Sequence, residues 1–192
     1  MNSTNPAQQI LNLIEDHTLF EKTITLQRNE FLKVKGNVDT NLYYIESGSL
    51  RIFVLDDFEE QIIRLAYKDN LFVVLDSFLT GKPSDFYIQT IKKTTLRVVS
   101  KSKLMEVIDH NPEYLRLWNQ ILELLILQQI EREKDILTSS PKDRYHRVLR
   151  RSPHLFQEVP EKHIANYLRM TPETLSRLKS LDLNQDQKRK NS

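Results

Sequence analysis

The residues best suited to chemistry lie close together near the C-terminal end. Tyr167 to Lys179 reads YLRMTPETLSRLK. Thr171 can cap a helix, Pro172 fits its first position, and Glu173 suits its first turn. Arg169 and Met170 join this start to an apparent helix just upstream, His163 to Leu168. Two helices separated by so tight a turn suggest a helix-turn-helix, whose second helix presents its first turn to a DNA major groove. Pro172, Glu173, Ser176 and Arg177 are spaced to share one face. Arg177 is placed for a bidentate contact to guanine O6 and N7. Glu173 can accept from cytosine N4 or orient Arg177 across one turn. Thr171, Thr174, Lys179 and Arg169 suit phosphate oxygens, aided by the backbone N–H groups of the helix start. The other reading of these residues is a structural helical hairpin with ordinary surface charges.

The charge distribution bears on that choice. Residues 139–192 carry 12 Lys and Arg against 6 Asp and Glu, a balance of +6, whereas residues 1–138 carry 16 against 20, a balance of −4. A mildly acidic body with a small basic tail suits a tail that meets phosphates; a solvated basic surface would look the same. With no cysteine, disulfides, thiolate metal sites and a Cys nucleophile are excluded. The five histidines are scattered without i, i+4 spacing, and three glycines leave little room for a phosphate-cradling loop. No Ser-His-Asp order or zinc spacing appears, so no enzyme and no metal site are expected. Asp56, Asp57, Glu59 and Glu60 read as a solvated hairpin tip. The first residues lack a basic region followed by an apolar run, and the cytoplasm is the expected location.

Elements to position these residues follow from periodicity. Ile10, Leu11, Leu13 and Ile14 mark a short amphipathic helix. From Phe20 to about Ser100 the pattern becomes short alternating runs, such as TITLQ, EFLKV and TTLRVVSK, separated by turn residues. This spacing predicts an antiparallel sandwich or barrel, with YYIESGSLRIFV its clearest hairpin and Gly48 at the reversal. A small helix over 101–110 precedes a long one over 112–137. On the long helix Leu115, Trp118, Leu122, Leu125 and Gln129 form one apolar-rich stripe, and Leu117, Ile121, Leu124 and Gln128 an adjacent one. One stripe is expected against the β domain and the first against a second copy, which makes a homodimer; burial of the whole helix within one chain is the alternative. Ser140, Pro141 and Asp143 mark a fresh helix start. Helices are expected over 141–151, near 153–157, over 161–168 and over 171–180, followed by a polar end. The domains are therefore expected at 1–111, 112–138 and 139–192.

In this order the chain resembles the Crp/Fnr family of bacterial transcription regulators. HIANYLRMTPETLSRLK matches the family's helix-turn-helix pattern at Ile164, Ala165, Leu168, Met170, Thr171, Glu173, Thr174, Leu175, Ser176 and Arg177. YYIESGSLRIFV matches its β hairpin, and SFLTGKPSDFYIQTI occupies the place of its effector-binding cassette. The resemblance implies an α+β fold: an N-terminal antiparallel, jelly-roll-like β-roll of the cyclic nucleotide-binding type, a long dimerisation helix, and an all-α helix-turn-helix domain.

Three departures qualify what it implies. The family's cyclic-nucleotide binders use Gly-Glu for the ribose and a later Arg for the cyclic phosphate. Here those places read Val73-Val74 and Ser84-Asp85, so a carboxylate stands where a cation is needed and cyclic AMP is not expected to bind. Phe72, Val73, Val74, Ser84, Asp85 and Phe86 would line whatever pocket remains, for an effector the sequence does not name; no cofactor is expected. Arg169 stands where the family usually has Gly, which costs on the order of 1 kcal/mol if its φ is positive. The stretch 150–162 is too short and helix-like for the β wing of many relatives, so the wing is expected to be missing. The partners implied are double-stranded DNA with a palindromic operator, a second copy of the chain, and RNA polymerase, with no membrane. The alternative is a β-roll that binds a ligand or partner and whose C-terminal domain has lost DNA binding.

Overall fold

The computed structural model describes residues 5–190, with side chains as far as residue 182. Helix α1 (Pro6–Asp16) precedes six strands: β1 (Lys22–Leu26), β2 (Phe31–Lys33), β3 (Asn41–Ser47), β4 (Ser49–Asp56), β5 (Glu59–Tyr67) and β6 (Leu71–Val73). A short helix α2 (Leu75–Thr80) separates them from β7 (Tyr87–Thr90) and β8 (Thr94–Ser100). Six helices complete the described residues: α3 (Lys101–Asp109), α4 (Pro112–Leu137), α5 (Pro141–Arg151), α6 (Leu155–Glu158), α7 (Glu161–Tyr167) and α8 (Pro172–Lys190). The strands form two antiparallel sheets of four, ordered β1-β8-β3-β6 and β2-β7-β4-β5, so the architecture is the expected β-roll followed by a long helix and C-terminal helices. No strand follows residue 100 among the described residues, and α6 lies where a wing would stand.

Local chemistry explains the main turns. Gly48 joins β3 to β4 with φ +90°, and a Cβ there would lie 2.3 Å from the Lys93 carbonyl oxygen, so glycine is required both for backbone and for space. The acidic β4–β5 tip turns on Asp57 and Phe58, both at positive φ as a tight hairpin demands, and leaves the Phe58 ring in solvent. Asn111 caps α4 and Ser140 caps α5, each with proline at the first helical position. Helix α8 runs to Lys190, beyond the expected end near 180, because no proline or glycine interrupts it after Pro172.

Three apolar clusters hold the elements together. The roll interior packs Ile45, Leu50, Ile88 and Leu96. A second cluster joins α1, α2, α3 and α4 through Ile14, Phe78, Leu104, Ile108 and Trp118. The third joins the C-terminal helices to the roll, with Tyr145, Leu168 and Leu175 packed together with Ile91, Leu65 and Tyr67.

The facing of α4 corrects the expected dimer stripe. Trp118 is buried in its own chain, 6.0 Å from Phe78 between ring centres, and is unavailable to a second copy. Leu122 and Leu125 are half-buried, while Leu115 and Gln129 are exposed, Gln129 accepting from Arg64. The exposed apolar residues are Leu115, Ile126, Leu127, Ile130, Ile136 and Leu137. The spacing of apolar residues admits two adjacent stripes, and Trp118 is drawn inward because α2 offers it Phe78.

Candidate nucleic-acid interface

Helices α7 and α8 are joined by a turn closed by two backbone hydrogen bonds. The Arg169 N–H donates to the Asn166 carbonyl and the Met170 N–H to the Ala165 carbonyl, each at 3.0 Å. This is a Schellman ending with Arg169 in the left-handed region, φ 55°. A glycine would be easier there, and Arg144 supplies compensation. Its buried guanidinium donates to the Leu168 carbonyl at 2.9 Å and the Arg169 carbonyl at 3.1 Å. The same group donates to the carbonyls of Thr138 (2.5 Å) and Ser139 (3.1 Å), just past α4. One side chain thus ties the α4–α5 junction to the α7–α8 turn.

Helix α8 then starts as its letters suggest. The Thr171 hydroxyl accepts from the Thr174 N–H at 3.2 Å. Leu175 and Leu178 turn into the core with Ile164, Ala165 and Leu168, so Glu173, Ser176 and Arg177 face solvent beside exposed Thr171, Pro172 and Arg169. Backbone N–H donation at the helix start and the Thr171 hydroxyl hold the Glu173 carboxyl below its usual range. Among the described residues Arg177 has no hydrogen-bond or ion-pair partner. Lys179 differs: it is half-buried and its ammonium is held by Glu161 of α7.

The two-helix unit is docked on the roll. The Asn166 side chain accepts from the Ile62 N–H at 2.9 Å and donates to the Glu60 carbonyl at 2.8 Å, so it pairs with the free edge of β5 as a neighbouring strand would. Arg132 of α4 donates to the Ile62 carbonyl and lies 3.6 Å above the Tyr167 ring. Asp135 is fully buried and joined to Arg147 and Arg151 of α5. Sequence reasoning identified neither Arg144 nor Asn166 as a positioning residue. Both act over long separations, and neither belongs to a periodic pattern.

The residues expected to line an effector pocket are not gathered into one. Val74 and Ser84 are buried, and Asp85 is exposed and paired with Lys35 at 3.2 Å. Phe72 stacks on Tyr43, 5.0 Å between ring centres, and Phe86 packs against the roll interior. Beneath the cassette lies Lys33, whose ammonium donates to the carbonyls of Val34, Ser84 and Phe86 at 3.0, 3.2 and 2.9 Å. Those bonds use all three of its protons, and burial lowers its pKa. Phe72 and Val73 border a separate cavity next to α4.

Residues 23–111 match the cyclic nucleotide-binding domain family. No curated protein matches the chain by sequence. Among solved structures it is similar to FixK2 from Bradyrhizobium japonicum, at 18% identity over 86% of this chain and 85% of that one, with a TM-score of 0.70. It is similar to a cyclic nucleotide-binding domain containing protein from Listeria monocytogenes EGD-e, at 13% identity over 94% and 92%, TM-score 0.68. The c-di-GMP responsive global regulator CLP of Xanthomonas campestris aligns at 16% identity over 91% and 92%, TM-score 0.62. At these identities the likeness is one of fold, and that fold is the one expected from the Crp/Fnr resemblance. No described helix is long and apolar enough to cross a membrane.

Proposed function

We propose that this chain, which has the fold of Crp/Fnr regulators, is a sequence-specific DNA-binding transcription regulator that acts as a homodimer. The observation that carries the reading is the start of α8. A fixed turn and a capped helix leave Glu173, Ser176 and Arg177, which has no partner among the described residues, together in solvent. That is the arrangement a helix-turn-helix uses to reach base edges. Selection of bound duplexes from a random pool by the purified protein tests it. The expected motif is a palindrome with half-sites one helical turn, roughly 34 Å, apart. Arg177→Ala should cost roughly 1–3 kcal/mol of specific affinity and relax one base pair per half-site. If no motif emerges and Arg177→Ala leaves DNA affinity unchanged, the chain is instead a ligand- or partner-binding roll without DNA binding.

The non-specific part of binding comes from the tail's net +6 and weakens with salt. Lys179 contributes little to it while Glu161 holds its ammonium. Glu161→Gln should therefore steepen the dependence of log affinity on log salt by about 1, read by fluorescence anisotropy at several salt concentrations. An unchanged slope would show that Lys179 is not a phosphate ligand.

The second copy belongs on the exposed stripe of α4. Leu115, Ile126, Ile130 and Leu137 are 42%, 61%, 41% and 82% exposed on a helix whose buried side, with Trp118, packs against α1 and α3 of its own chain. Sedimentation at micromolar concentration should give about twice 22.8 kDa, and Ile126→Glu with Ile130→Glu should give the monomer. Wild-type protein that stays monomeric when concentrated would exclude this interface. Cyclic AMP is not the effector in this reading: Val73 and Val74 offer no ribose acceptor, and the donors of Lys33 are already taken.

A further inference from the structure

We propose that the cavity between α1, the β6–α2 segment and α4 is a binding site for a small, neutral, apolar molecule about the size of one aromatic ring. The cavity measures about 170 Å³. Its walls include Ile10 of α1, Phe72 of β6, Leu79 of α2, and Trp118, Ile121 and Leu125 of α4. Among the described residues no charged side chain lines it, and Asn5 and Gln128 are its only polar side chains. A dry apolar cavity of about 150 Å³ is large enough for benzene. Asn5, Ala7, Leu79 and Gln128 form an exposed rim, so the cavity opens to solvent on one side. An anion drawn fully inside would lose its hydration and meet no cation, which favours a neutral guest over a carboxylate or a cyclic nucleotide.

The geometry of α4 decides between a small guest and a second protein chain. Trp118, Ile121, Leu125 and Gln128 recur at steps of three and four and form one flank of the helix. Leu115, Ile126, Ile130 and Leu137 form the exposed stripe. At 100° per residue the two sets are centred about 130° apart around the axis, with Leu122 of the cavity wall about 20° from Leu115. A helix seated on Ile126, Ile130 and Leu137 therefore leaves the flank of Ile121, Leu125 and Gln128 uncovered. The inference concerns binding alone and holds whether or not the chain binds DNA.

Trp118 is the only tryptophan in the chain and forms part of the wall, so its emission reports occupancy directly. The full chain is titrated with toluene, benzyl alcohol and sodium benzoate at pH 8. Toluene should change Trp118 emission saturably and raise the melting temperature, with benzoate at least 100-fold weaker. Ala7 lines the rim and is exposed, so Ala7→Phe can fill the space without overpacking the core. It should weaken toluene binding at least tenfold. Leu79→Lys, at a rim position 52% exposed, should raise benzoate affinity at least tenfold. No saturable change up to the solubility limit of toluene would overturn the proposal, as would saturation that neither substitution alters. A Trp118 signal that follows protein concentration instead of toluene would assign the cavity to a second copy and equally overturn it.

Discussion

Replacing Arg144 by Ala should lower stability by about 3 kcal/mol and weaken the proposed DNA binding at least tenfold under conditions where the variant remains folded. Arg144 is buried, and its guanidinium bonds four carbonyl oxygens, those of Thr138, Ser139, Leu168 and Arg169. Hydrogen bonds from a charged donor contribute roughly 1.5–3 kcal/mol each, and acceptors left dry cost a similar amount; water reaching the cavity recovers part of the total. For a chain of this length the loss corresponds to a fall of roughly 6–12 °C in melting temperature. The functional effect has a separate cause. Two of the four carbonyls flank Arg169, whose left-handed φ sets the angle between α7 and α8. Without the guanidinium that turn has more freedom, and Arg177 no longer starts from one position. Arg144→Lys discriminates the roles, because an ammonium fills the space yet cannot span both pairs of carbonyls. It should restore much of the melting temperature and little of the DNA affinity. Full recovery of both would make Arg144 a simple space-filler.

Repetition and chain-end chemistry made much of this molecule legible in its sequence. The alternating runs over 22–67 and 87–100 became strands, and Ser140 and Thr171 each cap the helix that follows. Features less than two periods long were not visible. Strand β6 has three residues and α2 six, so neither completes a pattern. The direction in which Trp118 faces was also hidden, since two apolar stripes on one helix can be exchanged until a partner such as Phe78 is known. At the candidate site, exposure of Glu173 and Arg177 followed from local spacing, because Leu175 and Leu178 had to face inward. The engagement of Lys179 by Glu161, and of Asn166 by a strand 104 positions away, depends on tertiary packing that no local pattern encodes.

Acidification from pH 6.5 to 4 should cost this protein as much as about 3 kcal/mol through His163 alone. His163 lies in α7, 9% exposed, on the side that meets the roll. Burial is the main cause that lowers its pKa from 6.5 to about 4; Arg51, Lys162 and Arg28 push the same way, and Glu60 opposes them. The folded chain therefore holds a neutral imidazole, while the unfolded chain takes up a proton near pH 6.5. The contribution is complete above that value and is lost as pH falls through the folded pKa. The same helix carries Asn166, so a charge forced onto His163 acts on the docking of α7 against β5. Urea unfolding of wild type and His163→Gln at pH 7.5, 6, 5 and 4.5 isolates the effect, since carboxylates shared by both chains cancel in the difference. The wild-type curve should fall relative to the variant below pH 6.5. The protection factor of the Ile62 N–H, its exchange rate relative to the unstructured rate at the same pH, should fall over the same interval in wild type and stay level in the variant. A stability difference that stays constant from pH 7.5 to 4.5 would show that His163 is accommodated equally well in either charge state.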